Sequence, residues 1–160
     1  VADAKVFCER IAPMWRSLGP VLVQLPPSMK IDLERLDALL KGLPKKVGRT
    51  GLRIALEVRH ESWLTDATRS LLNRYGASLV LHDWRVPTDR TNEASPFVYV
   101  RRHGRPQYSG NYSEEQLHSD AEMVRGLARD GRDVYVYSNN DARGYAVRNA
   151  RRLMELTGNG

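Results

Sequence analysis

Charged and hydrogen-bonding side chains gather at the ends of short apolar runs in this chain. The fullest case is Arg53-Ile54-Ala55-Leu56-Glu57-Val58-Arg59-His60, which continues into Glu61-Ser62-Trp63. Val98-Tyr99-Val100-Arg101 leads into Arg102-His103-Gly104, and Val134-Tyr135-Val136-Tyr137 leads into Ser138-Asn139-Asn140-Asp141. Read with period two, Ile54, Leu56 and Val58 share one strand face, and Ala55, Glu57 and Arg59 share the other. An unpaired buried charge is expensive, so on an inner face Glu57 and Arg59 must pair with each other, with neighbours or with a ligand. Arg59 and Arg101 each present a planar, permanently charged fork suited to a carboxylate or phosphate. His103 is the natural general acid or base beside them, and Glu57 suits the task of orienting an Arg or His.

Three chemistries compete for these residues. A metal-dependent hydrolase acting on phosphodiesters has eligible ligands in Glu57, His60, His82, Asp83, His103 and Asp141. The chain, however, carries no H-x-H or H-E-x-x-H spacing, and arginines favour anions over cations. A metal-free site would hold a phosphorylated or carboxylated small molecule between Arg59 and Arg101. Non-catalytic binding of nucleic acid would use the basic charge, with Trp84, Tyr108 and Tyr112 as stacking groups. A serine nucleophile is the weakest reading, since no G-x-S-x-G elbow surrounds Ser62, Ser109 or Ser138. No cofactor is indicated by any motif.

The elements that must position these residues alternate along the chain. Residues 3–18 read as a helix with a stripe of Val6, Phe7, Ile11, Met14 and Trp15, weakened at Pro13 by a kink or a break. A strand at 21–25 stops at Pro26-Pro27, and a second helix spans 32–41. A basic loop with Lys45, Lys46 and Gly48 leads to the strand already described. Thr65 or Asp66 caps a helix that ends near Gly76, followed by a strand at 78–81 and then His82-Asp83-Trp84. Residues 85–96 and 105–112 read as loops around the strand at 97–101. Ser113 and Gln116 form a capping box for a helix to Ala128, and a strand at 134–137 and a helix at 143–156 complete the order. This alternation is that of a parallel α/β sheet in one domain covering residues 1–160, with polar residues converging at one end of the strands.

With 160 residues, 41% hydrophobic and 28% charged, the composition is that of a soluble globular domain. The net charge of +6 and a pI near 9.7 lean towards anionic partners. The single cysteine, Cys8, excludes an internal disulfide framework and fits a reducing cytoplasm, where it reads as a core residue. No apolar run is long enough to cross a membrane, so no membrane partner is expected.

Four segments in order resemble the YecE-like family, domain of unknown function seventy-two. Leu18-Gly19-Pro20-Val21-Leu22-Val23-Gln24-Leu25-Pro26-Pro27 is similar to its L-G-P-x-L-x-Q-L-P-P segment, and Glu57 to Trp63 to its E-F-R-H-x-S-W. Tyr99 to Gly104 resembles Y-x-R-x-H-G, followed by a Tyr-Ser-Gly-x-Tyr-Ser loop from Tyr108. Tyr135 to Asp141 resembles Y-V-Y-F-N-N-D, with Ser138 in place of the usual aromatic residue. The resemblance implies a TIM-like (β/α) barrel of unestablished activity. The family's opening strands are not matched, so this chain is expected to carry about five parallel strands, the fourth to the eighth. The strands at Val21 and Val134 would then be open edges. In such a barrel, His103 and Glu57 are the candidate catalytic groups. Gln24, Arg59, His60, Trp63, Asp83, Arg101, Tyr108, Tyr112, Asn139, Asn140 and Asp141 are the candidate ligand-binding residues.

Overall fold

The structure is a computed structural model that describes residues 2–84, 86–88, 91–104, 106 and 108–158. Arg85, Asp89 and Arg90 of the first expected loop, and Arg105 and Gln107 of the second, lie outside the described residues.

Helix α1 (Ala2–Ile11) passes at Pro13 into a 3-10 helix, Ala12–Ser17, because proline withholds the N–H that a continuing α-helix needs. Strand β1 (Val21–Gln24) and helix α2 (Leu33–Gly42) follow, with Asp32 capping the helix by accepting from the Arg35 N–H at 2.9 Å. A small antiparallel hairpin, β2 (Lys46–Val47) and β3 (Thr50–Gly51), occupies the stretch expected to be a basic loop. Its turn requires Gly48, at φ +58°, where a Cβ would stand 2.6 Å from that of Trp15. Then come β4 (Ile54–Glu57), α3 (Asp66–Arg74), β5 (Ser78–Leu79), β6 (Leu81–His82) and β7 (Phe97–Arg102). Helix α4 (Glu114–Arg129), β8 (Asp133–Ser138) and α5 (Tyr145–Thr157) complete the chain. The expected capping box on α4 is formed by Ser113 and Gln116.

Among the described residues, every strand-to-strand pairing apart from the hairpin is parallel, and His82 of β6 also makes an isolated antiparallel bridge to Thr88. The ladders run β1-β4-β5 and β6-β7-β8, and β5 and β6 are two halves of one extended run joined at Val80. The Val80 N–H donates to the Leu56 carbonyl at 2.9 Å, which carries the order across the junction. β1 and β8 stand at the two ends of this order, each paired on one side among the described residues, as expected for open edges. The strands place Gln24 opposite Glu57, and Arg101 opposite both His82 and Tyr137.

Period two sorts the side chains into layers. Ile54, Leu56 and Val58 face outward onto Leu36 and Leu40 of α2 and Leu71 and Leu72 of α3. Val98 and Val100 face outward onto Met123 and Leu127 of α4. On the opposite face Ala55, Val80, Phe97 and Tyr99 form an inner core with Leu22 and Tyr135. The sheet is therefore covered by helices outside and curled over its own side chains inside. The stripe expected on α1 is only partly turned in, for Phe7 and Met14 are 49% and 62% exposed. The buried positions are Cys8 with half-buried Ala4, Ile11 and Trp15, a stripe at i, i+4, i+7 and i+11 that rests on the hairpin. Among the described residues no helix is long and apolar enough to cross a membrane.

Asn92, in the polar segment before β7, is fully buried and holds that segment to the sheet. Its Nδ2 donates to Asn73 Oδ1 at 2.7 Å and to the Ala77 carbonyl at 2.8 Å, and its Oδ1 accepts from the Leu79 N–H at 2.8 Å. Replacing it with alanine leaves a buried N–H and a buried carbonyl without these partners. Asn92→Ala is expected to lower the stability to urea by about 2–6 kcal/mol, at roughly 1–3 kcal/mol for each of the two unsatisfied buried groups. An unchanged midpoint would show that the segment is not held this way.

Candidate functional site

The inner face ends in a polar cluster at the C-terminal ends of the strands. β4 delivers Glu57 and, two residues on, Arg59; β7 delivers Arg101 and then His103; β1 delivers Gln24. Glu57 is fully buried and is shared by three partners. Its Oε2 accepts from Arg101 Nη1 at 2.7 Å, while its Oε1 pairs with Arg59 and lies 3.5 Å from His103 Nε2. Gln24 Oε1 ties the two arginines together, accepting from Arg59 at 3.2 Å and from Arg101 at 3.0 Å. Arg59 Nη2 also lies 3.3 Å from His103 Nε2. Its guanidinium carbon sits 3.7 Å from the centre of the Trp84 ring, a cation–π contact on a side chain that is 1% exposed. Burial alone would raise the pKa of Glu57, but the bonds from His103 and Arg101 and the charges of Arg101 and Arg59 outweigh it. The carboxyl is held below its ordinary value and stays ionised.

A second network anchors His103 from behind. Its backbone N–H donates to Asp83 Oδ1 at 2.8 Å, the next N–H, that of Gly104, donates to the Tyr112 hydroxyl at 2.7 Å, and that hydroxyl donates to Asp83 Oδ2. Burial and the bond to Asp83 push the Tyr112 phenol up, so it remains a donor. Gly104 has φ +77°, and a Cβ there would meet the Gly110 carbonyl at 2.7 Å and Asn140 Cβ at 2.8 Å, so glycine is required. Tyr108 donates its N–H to the His103 carbonyl and turns its ring edge-on to the imidazole, with centroids 5.7 Å apart.

His82, on the same inner face, bonds to the Val58 carbonyl through Nε2 at 2.9 Å and accepts from the Trp84 N–H through Nδ1. Burial lowers its pKa more than Glu57 and the Val58 carbonyl raise it, so the ring is neutral, with its proton on Nε2.

The structure thus brings together Gln24, Glu57, Arg59, Arg101 and His103, with Asp83, Tyr108 and Tyr112 as their supports. Other expected residues stand elsewhere. Trp63 is buried in the outer core and donates from Nε1 to the Met29 carbonyl at 2.8 Å. His60 caps the 3-10 turn Glu61–Trp63, accepting from the Ser62 N–H at 3.1 Å. Asn140 is buried but ties the loop to α5, donating to the Gly110 carbonyl at 2.9 Å and to Asn149 at 2.8 Å. Asn139 is half-buried beyond the end of β8, and its N–H donates to the Arg102 carbonyl. Asp141 is exposed at the start of the next helical turn. Among the described residues no group of three His, Cys, Asp or Glu side chains is arranged to hold a metal ion. His82 and Trp84, expected as an eligible metal ligand and as a stacking group for nucleic acid, also belong to the cluster, where Trp84 covers the Arg59 guanidinium and His82 bonds to the Val58 carbonyl.

Comparison with known proteins decides the family. The family described as "Protein of unknown function DUF72" matches residues 1–160, the whole chain. The chain belongs to the DUF72 family. This is the YecE-like family that the four motifs resemble. A crystal structure of a DUF72 family protein from Thermotoga maritima superposes with a TM-score of 0.82 at 26% identity, covering 98% of this chain and 65% of that one. Two crystal structures of a DUF72 family protein from Enterococcus faecalis give TM-scores of 0.74 and 0.72 at 21% identity. They cover 97% of this chain in both cases, and 65% and 68% of theirs, and they show a likeness of fold alone. No curated protein matches the chain. This DUF72 chain therefore spans about two thirds of the length of its solved relatives.

The pKa shifts of His82 and Glu57 act in the same direction on stability. The folded value of His82 lies below the ordinary 6.5, so the unfolded chain takes up that proton first, and stability falls as pH drops from about 6.5 towards the folded value. The folded value of Glu57 lies below 4.5, so its contribution is full above 4.5 and is lost as pH falls through that folded value. Urea midpoints measured against pH are expected to decline in two stages, and His82→Gln should flatten the upper one alone. An upper stage unchanged in His82→Gln would contradict a buried neutral imidazole.

Proposed function

We propose that this cluster binds a small oxyanion, a phosphorylated or carboxylated molecule, at the C-terminal ends of the strands. The observation that carries the reading is the disposition of Arg101. Both of its hydrogen bonds among the described residues, to Glu57 and to Gln24, come from Nη1. Nε and Nη2 keep their donors on a side chain that is 12% exposed, whereas Arg59 is sealed beneath Trp84. An arginine already held by a carboxylate loses little further freedom when an anion docks on its second edge, which favours binding.

On this reading His103 is the group that exchanges a proton with the ligand. Its Nε2 lies between two groups of the cluster, 3.3 Å from Arg59 Nη2 and 3.5 Å from Glu57 Oε1. The other ring nitrogen, Nδ1, is buried with no hydrogen-bond partner among the described residues. The parallel order, the inward polar layer and the likeness to the Thermotoga structure support a further part of the proposal. In it, β1, β4, the β5–β6 run, β7 and β8 are the fourth to eighth strands of a (β/α)8 barrel, a fold whose ligands bind at this end of the strands.

Titration calorimetry with inorganic phosphate tests the reading. Arg101→Ala is expected to weaken binding by about 1.5–3 kcal/mol, the usual worth of hydrogen bonds to a charged group. Arg125→Ala should leave it unchanged, since Arg125 lies on α4 and bonds to the Leu156 carbonyl. Equal affinities for the two variants would return both site arginines to a purely structural role.

A further inference from the structure

His103 is fully buried, although the role given to it requires a ligand to reach it. Its Nε2 is taken up by Arg59 and Glu57, so the nitrogen left for a ligand is Nδ1, which has no hydrogen-bond partner among the described residues. A buried polar atom without a partner is rare and calls for a reason. Among the described residues, three rings stand round the imidazole. His82 lies edge-on at 6.2 Å between centroids, is itself buried, and is bonded at both nitrogens. Trp84, also at 6.2 Å, is half-buried and held by its face on the Arg59 guanidinium and by its N–H to His82. Tyr108 is nearer, at 5.7 Å, and is 46% exposed, and its hydroxyl makes no hydrogen bond among the described residues. It is thus the ring that stands between His103 and solvent. Its backbone has φ +63°, in the left-handed region that a bulky side chain rarely occupies. The Tyr108 N–H donates to the His103 carbonyl, its carbonyl accepts from the Ala142 N–H at 3.1 Å, and Asn140 holds the Gly110 carbonyl two residues on. A costly backbone conformation is pinned from both sides, and its effect is to set the ring against the imidazole. The backbone is fixed, while the ring can turn about Cα–Cβ into the solvent it already touches.

We infer that the Tyr108 side chain gates this site: it closes His103 off from water and turns outward to let the ligand meet the imidazole. Tyr108 is therefore the residue that decides access to the proton-exchanging group. This rests on the oxyanion reading above and adds how its ligand gains entry. An imidazole shielded in this way exchanges its proton with the ligand rather than with bulk water, which suits the role given to His103.

Ethoxycarbonylation of each histidine by diethyl pyrocarbonate, located by mass spectrometry, reads access to the rings of the intact protein without any ligand. His118, with a side chain 56% exposed, should react fast. His82 is buried like His103 but has no ring contact with Tyr108, so it should wait for unfolding and quicken with urea. His103 is expected to react at least about tenfold faster than His82, at a rate that low urea does not change, because turning one side chain takes far less free energy than unfolding. Tyr108→Ala should raise the His103 rate by about tenfold or more, since a minor open form becomes the whole population, and leave that of His82 unchanged. Tyr108→Phe should behave as the unaltered protein, because the hydroxyl has no partner to lose. His103 reacting only in step with His82, or at a rate that Tyr108→Ala does not change, overturns the gate. So does a Tyr108→Ala protein in which both histidines speed up together, which would make the ring a prop of the fold. None of these outcomes involves an anion, so failure here leaves the calorimetry of phosphate to judge the oxyanion reading by itself.

Discussion

A carboxylate with no access to water has to be matched by positive charge, and Glu57 is matched twice, by Arg59 from its own strand and by Arg101 from β7. Removing either arginine leaves the other and Glu57 with altered balance inside a closed layer, which is why such arrangements are costly to break from one side. The rest of the inner face follows from this pairing. Gln24 accepts one bond from each guanidinium, Trp84 covers the one that is sealed, and His103 stands where it can meet Glu57 and Arg59 together. β1 and β7 are not adjacent, so their joint contact with Glu57 also fixes the curl of the sheet at this end.

The loop that closes the cluster is held by backbone groups rather than by apolar packing. Asp83 accepts from the His103 N–H and from Tyr112, and Tyr112 in turn accepts from Gly104. Asn140 and Asn149 fasten the same loop to α5. His103 is thereby placed by three different segments, and its imidazole has little freedom to choose another partner. Arg102, one residue away, points to the opposite face and pairs with Asp120 of α4.

The sequence made the layers legible because strand alternation is strict in β4, β7 and β8, so Glu57, Arg59, Arg101 and His103 could be placed on one face by counting. It could not supply the partners, since Glu57 and Arg101 are 44 residues apart and their meeting depends on register across intervening strands. His60 and Trp63 sit in the same short motif as Glu57, yet the chain turns after Arg59, so that His60 caps the 3-10 turn and Trp63 enters the outer core. Contiguity in sequence is a poor guide at a strand end for that reason. The hairpin at Lys46–Val47 and the role of Asn92 were hidden in polar stretches without period, where one buried side chain replaces a regular element. The apolar stripe expected on α1 lies one face away from the buried one because Cys8 and Ala4 are small and weakly apolar, and Phe7 and Met14 outweigh them in any count.

The central claim is that Glu57 holds Arg101 in place so that its second edge is ready for an anion. A crystal structure of the intact protein with bound phosphate tests this most directly. The account predicts the oxyanion against Nε and Nη2 of Arg101, with the bonds from Nη1 to Glu57 and Gln24 unbroken. An Arg101 side chain swung away from Glu57 to reach the anion, or phosphate bound elsewhere while that edge faces solvent, would contradict it.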